Sequence, residues 1–150
     1  YAISGITRGV MLINSCEKYD PKRDEWNEVT PIQIFASHLG SVVHNSRIFV
    51  VENKNFKVYY PDRNSWLELP ALDLHLLNGI FKPQIKLAYF DGHFYAYGGV
   101  YEHQDGFNKK VNQKVMIFHN EKRAWEVFDT LENYDSFFDS LVQCNKIQAS

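Results

Sequence analysis

Six histidines are the first residues to ask about metal or acid–base chemistry. His38, His44, His75, His93, His103 and His119 form no His-Glu-x-x-His or similar local pair, the spacing that sets two ligands on one face of an element. His44, His93 and His119 fall in or beside apparent strand turns. Cys16 and Cys144 are far apart in sequence and lack metal-type spacing, so they read as buried free thiols. Gly98-Gly99 lacks the strand–loop–helix setting and the following Lys-Ser/Thr of a phosphate loop. No Gly-x-Ser-x-Gly elbow occurs, and neither cysteine has an activating base nearby in sequence. The chain therefore reads as a non-enzyme, with no catalytic, metal or cofactor residues and no cofactor.

Binding chemistry is better represented. Arg8, His75, Phe81, Tyr101, His103, Gln104, Phe107 and Asn108 mix aromatic, cationic and amide groups, and aromatics with arginine are common anchors of protein interfaces. They sit in variable stretches expected to be connections: Ile6 to Ser15, Asn53 to Phe56, Val100 to Gln113, Pro31 to Leu39, Ala71 to Pro83 and Asp129 to Phe138. Loops on a rigid scaffold are where binding residues gather. The apolar runs Pro31-Ile32-Gln33-Ile34-Phe35-Ala36 and Leu72-Asp73-Leu74-His75-Leu76-Leu77 are expected to tuck about half of their side chains under neighbouring elements.

The scaffold shows in a repeated spacing. Tyr19 leads to Trp26, Tyr59 to Trp66 and Phe118 to Trp125, each a seven-residue step across a polar turn. A second signal pairs Val42–Val51 with Ala88–Tyr97, two apolar runs broken at Asn45-Ser46 and Asp91-Gly92. Both breaks are hairpin turns. Leu141–Ile147 resembles a third copy, and Tyr1-Ala2-Ile3-Ser4-Gly5 matches Tyr95-Ala96-Tyr97-Gly98-Gly99. A period of about 50 residues signals stacked supersecondary units. Each unit holds four strands. Trp26, Trp66 and Trp125 are expected to fill the gaps between units, with Tyr19, Tyr59 and Phe118 on the adjoining strands. Gly98 and Gly99 are expected where a second strand ends.

Tyr-x-x-Gly-Gly, Tyr-Asp-Pro and Trp at this period resemble the kelch repeat. The Gly-Gly pair is intact only at Gly98-Gly99, being Ser4-Gly5 and Glu52-Asn53 in the other units. The resemblance implies an all-β fold, a fragment of a kelch-type β-propeller with four-stranded antiparallel blades. Its parts are strands two to four of one blade at 1–30, full blades at 40–70 and 86–128, and the first strand of another at 139–148. It resembles the C-terminal kelch domain of BTB-kelch proteins, which recruit substrates to cullin-based ubiquitin ligases. That implies a protein-interaction module with a protein partner. Kelch proteins that bind actin or the cytoskeleton are the alternative. A galactose-oxidase-like enzyme is a third, for which no copper-site residues carry over.

Composition agrees. Of 150 residues, 45% are apolar and 15% aromatic, enough for a packed all-β core. A net charge of −2 gives no general pull on nucleic acid or anionic membrane. No run of about 18 apolar residues occurs. With no signal peptide or glycosylation sequon visible, a cytoplasmic location is expected.

Overall fold

The computed structural model describes residues 1–8, 11–36, 39–52, 54–73, 85–104 and 108–131. These form three antiparallel sheets and no helix. The first sheet contains β1 (Ala2–Ile6), β2 (Leu12–Asp20) and β3 (Glu25–Val29). The second contains β4 (Gly40–His44), β5 (Arg47–Glu52), β6 (Asn55–Tyr60) and β7 (Ser65–Leu69). The third contains β8 (Lys86–Phe90), β9 (His93–Gln104), β10 (Asn108–His119) and β11 (Ala124–Leu131). Every strand pairs with its neighbour in sequence, so each sheet is a meander.

The tight turns explain the meander. Asn45 and Ser46 stand at φ 48° and 56°, and Asp91 and Gly92 at 45° and 81°. Positive φ at both central positions matches the right-handed strand twist. The third-to-fourth strand turns repeat a different device. Asp24, Asn64 and Arg123 each lie five residues past the aromatic of their repeat, at φ 55°, 47° and 50°.

Burial on both faces accounts for the unbroken apolar run Ile48–Val51. Ile48, Val50 and Tyr59 pack in one cluster with Cys16, Ile32, Ile34 and Ala36. Phe49, Val51, Phe56 and Val58 face the other way, toward Leu87, Phe94, Met116, Phe118 and Trp125. The Phe56 ring lies 5.7, 5.4 and 5.1 Å from Phe94, Phe118 and Trp125, each in an edge-on pose. Such rings add to area burial. The first strands of the second and third blades approach closely at Gly40, where an added Cβ would meet the Ile85 carbonyl and lie 2.9 Å from the Leu87 nitrogen. Ile32, Ile34, Ala36 and Leu72 are buried, whereas Phe35 is 62% exposed. The first apolar connection thus tucks alternate side chains beneath its neighbours.

Several expectations need correction. Val100 to Gln113 is largely strand: β9 and β10 stay paired from Gln113↔Gly99 to Asn108↔Gln104. Leu12 to Ser15 and Phe56 are strand as well. Gly98 and Gly99 lie within β9, not at its end. Trp125 is buried and Trp66 half-buried, but Trp26 is 55% exposed and Tyr19 37%. The reason is directional. Trp66 and Trp125 pack on the sheet before their own, and the described residues form no sheet before β1–β3 to cover Trp26. The expected strand at 139–148 lies outside the described residues.

Candidate functional site

The hypothesised binding face is built from second-to-third strand turns and blade-to-blade connections. Arg8 lies exposed in the β1–β2 turn, which closes with the Thr7 N–H donating to the Met11 carbonyl at 2.9 Å. Around it Ile6, Met11 and Leu12 are exposed by 51%, 68% and 37%. The Ser4 hydroxyl lies 2.7 Å from the Ile13 carbonyl and 2.9 Å from that of Ala36. Ser4 thereby ties the 31–36 connection to this end of the first blade and brings exposed Phe35 with it. A cleft of about 230 Å³ opens beside Ser4, lined also by Tyr1, Ile3, Gly5 and Ala36, with Leu39, Ser41 and Val50 from the second blade's side.

The other expected site residues divide by position. Tyr101, His103 and Gln104 fall on β9 and Asn108 on β10, in the register Tyr101↔Val111, His103↔Lys109 and Gln104↔Asn108. They occupy the same kind of connection in the third blade that Arg8 occupies in the first. His75, Phe81 and Phe107 lie outside the described residues. Sequence reasoning passed over Ile6, Met11, Leu12 and Phe35. Their signal was apolar character beside a turn, which a buried residue shares.

The opposite face is more polar. Both Arg47 and Arg63 lie over the Tyr60 ring, 4.7 and 5.4 Å from its centroid. His44 stacks on Tyr89 at 3.6 Å, and burial pushes its imidazole pKa down. Glu126 accepts from Lys122 at 2.7 Å and lies 3.2 Å from His119. The Lys122 hydrogen bond holds this carboxyl below its usual value. A cleft of about 310 Å³ there is lined by Gly92, His93, His119, Asn120, Glu121 and Lys122. Among the described residues, no three His, Cys, Asp or Glu side chains gather as metal ligands. Cys16 is free and buried, and burial raises its thiol pKa. That combination makes an inert thiol rather than a nucleophile.

The interfaces between blades carry a repeated polar contact. The Trp66 indole N–H donates to the Thr30 carbonyl at 2.9 Å, and the Trp125 indole to the Pro70 carbonyl at 3.2 Å. Each tryptophan leans on its own repeat's aromatic, at 5.0 Å for Tyr59–Trp66 and 5.2 Å for Phe118–Trp125.

Four-stranded meanders, each pinned by a tryptophan to the sheet before it, define the blades of a β-propeller. The repeats are kelch repeats, and the chain is a kelch-repeat domain. No protein-family model matches it. It is similar to Kelch-like protein 40 of Mus musculus, 30% identical over 106 residues, which is 66% of this chain and 16% of that protein. Kelch-like protein 40 of Xenopus tropicalis is 25% identical over 118 residues, 72% of this chain and 18% of that protein. A Kelch domain-containing protein of Sulfurisphaera tokodaii is 26% identical over 97 residues, 59% of this chain and 13% of that protein. The chain thus spans less than a fifth of the length of these curated relatives. Among the described residues no helix is long and apolar enough to cross a membrane.

Proposed function

We propose that this kelch-repeat domain is a protein-interaction module, the substrate-recognition propeller of a BTB-kelch adaptor that serves a cullin-based ubiquitin ligase in the cytoplasm. The observation that carries the interaction reading is the end of the first blade, where Arg8, Ile6, Met11 and Leu12 are exposed in and beside the β1–β2 turn, and Phe35 is exposed on the connection that Ser4 ties to this blade. Apolar anchors beside an arginine suit a protein partner, and the relatives named Kelch-like protein 40 support a kelch interaction module. In this reading Tyr101, His103, Gln104 and Asn108, in the matching connection of the third blade, are further candidate anchors, and His75, Phe81 and Phe107 are candidates from the sequence alone.

The test is affinity capture with the natural polypeptide that carries these repeats. Met11→Asp and Arg8→Ala should each lower partner recovery at least tenfold, as loss of an anchor worth about 2 kcal/mol does. Arg63→Ala on the opposite face should leave it unchanged. Cullin should be recovered with the partner. Unchanged recovery with both anchors altered would remove this face from consideration. Recovery of actin without cullin would replace the ligase reading with a cytoskeletal one.

A further inference from the structure

The second and third strands of the two complete blades end differently beside their tight turns. In the second blade the register Ile48↔Tyr59, carried one step further, sets Arg47 across from Tyr60. The two close on each other, with the guanidinium 4.7 Å from the ring centroid. In the third blade the matching register Phe94↔Phe118 sets His93 across from His119. Their ring centroids stand 6.0 Å apart with an interplanar angle of 77°. Both imidazoles border the cleft of about 310 Å³ on this face.

Each imidazole has one nitrogen committed. His93 Nδ1 lies 2.8 Å from the Asp91 carbonyl oxygen. A carbonyl only accepts, so in the neutral ring this nitrogen carries the proton and Nε2 keeps its lone pair. His119 Nε2 lies 3.2 Å from the Glu126 carboxylate. Glu126 also accepts from Lys122 at 2.7 Å and is thereby held ionised. Neutral His119 thus donates from Nε2 and keeps its lone pair on Nδ1. Among the described residues neither lone pair has a hydrogen-bond partner.

An imidazole with one N–H held by a backbone carbonyl or a carboxylate is the usual setting of a metal-ligating histidine. Here that setting occurs twice around one cleft. The separation also fits. With zinc about 2.0–2.1 Å from each ring nitrogen, two ring centres lie about 5 Å apart at a tetrahedral angle and about 6 Å apart as the angle opens. Lys122, the cation lining the cleft, is neutralised by Glu126.

We propose that His93 Nε2 and His119 Nδ1 bind one divalent metal ion of the zinc class. Imidazole suits zinc, copper and nickel, whereas magnesium and calcium take oxygen ligands. Among the described residues no set of three His, Cys, Asp or Glu side chains gathers here, so water completes the coordination and the ion exchanges readily. It ties the start of β9 to the end of β10, as the Arg47–Tyr60 contact ties β5 to β6. Glu126 orients His119 and acts through it. The inference does not depend on the ligase reading.

The experiment follows modification of individual histidines by diethyl pyrocarbonate, a reagent for imidazole lone pairs, in the metal-free natural polypeptide. Peptide mass spectrometry reads each histidine separately as zinc chloride is added. His93 and His119 should become protected together, with one half-saturating zinc concentration, while His44 on the same face should not change with zinc. In His119→Gln the protection of His93 should be lost, and in the reciprocal His93→Gln that of His119. Glu126→Gln should raise the half-saturating concentration about tenfold, as loss of an outer partner of a ligand does. Magnesium chloride should protect neither residue. No protection at excess zinc overturns the site. Protection of one histidine that survives loss of the other overturns the shared ion. Equal protection by magnesium overturns the zinc-class assignment, and an unshifted Glu126→Gln titration overturns the positioning role of Glu126.

Discussion

Thr30 donates two hydrogen bonds to Asn64, one from its backbone and one from its side chain. The Thr30 N–H donates to the Asn64 side-chain oxygen at 2.8 Å, and the Thr30 hydroxyl donates to the Asn64 backbone carbonyl at 2.6 Å. Asn64 stands at φ 47°, in the left-handed region that asparagine tolerates better than most residues. One residue thus shapes a turn and joins two blades. Asn64→Gly keeps the turn and removes the side-chain acceptor, and should cost about 1–2 kcal/mol for the contacts with Thr30 and Tyr59. Asn64→Ala should cost about 1 kcal/mol more, because alanine is strained at that φ. Urea midpoints measure both, and equal midpoints for wild type and Asn64→Gly would show the junction to be energetically idle.

The three tryptophans should rank by the neighbour that covers them. Trp125→Ala removes a ring that is 5% exposed and should cost about 3–5 kcal/mol. Trp66→Ala should cost less, since that ring is only half-buried. In residues 1–150, Trp26→Ala should cost under about 1 kcal/mol, within the range of exposed-site changes. Denaturant unfolding of the three variants gives the order, and a Trp26→Ala loss as large as that of Trp125→Ala would contradict it.

That ranking shows what the sequence carried and what it did not. The Tyr/Phe-to-Trp step was legible because opposite residues of an antiparallel pair face the same side, as the register Tyr19↔Trp26, Tyr59↔Trp66 and Phe118↔Trp125 shows. Burial of Trp26 was not legible, because it depends on the preceding blade rather than on Trp26's own repeat. The β9–β10 ribbon escaped notice for another reason. Glu102, His103, Gln104, Asn108, Lys109 and Lys110 show no apolar alternation, whereas the ladder between them needs only backbone groups. The junction residues Tyr59 and Asn64 left a trace that went unread: Tyr-x-x-x-x-Asp/Asn precedes a tryptophan at Tyr19–Asp24 and Tyr59–Asn64, and Phe118–Arg123 departs from it at both ends.

Gly40 should tolerate no side chain. Its Cβ would enter the space of the Ile85 carbonyl, a backbone atom that cannot swing away. Gly40→Ala should cost about 1–3 kcal/mol by overpacking, with the first strands of two blades forced apart. Gly92→Ala is the control, with open space around it and only its φ of +81° to resist the change. It should cost about 1–2 kcal/mol. Thermal unfolding of the two variants, with the amide spectra of β4 and β8, separates a clash from a torsional strain. Undisturbed β4 and β8 resonances in Gly40→Ala would refute the clash.

Lys57 is the buried charged residue of the described core, and its ammonium reaches Glu68 at 2.8 Å. The hydrogen bond from Lys57, and then its charge, hold the Glu68 carboxyl below its usual 4.5. A carboxyl depressed on folding adds stability that is fully present above its unfolded value and lost as pH falls through the folded one. The stability gap between wild type and Glu68→Gln should therefore be constant above about pH 5 and close on acidification. Lys57→Met should abolish that acid dependence and leave stability at neutral pH equal or higher, since apolar replacements of buried ions often do. A gap that persists undiminished well below the folded value would show that Glu68 acts through packing instead.

The irregularity at Ser4 has a consequence for how the molecule meets copies of itself. Among the described residues β1 is the outermost strand of its sheet, and its register against β2 shifts between Ile3 and Gly5. Ser4 stands there at φ 57°, with its hydroxyl turned to carbonyls of its own chain. A straight outer strand is a template on which another molecule's strand can lay down a continuous ladder, the first step toward fibrils. A bulge breaks the spacing of such a template after two or three residues. Regular pairing at Ser4 would lengthen the stretch of β1 able to template such a ladder.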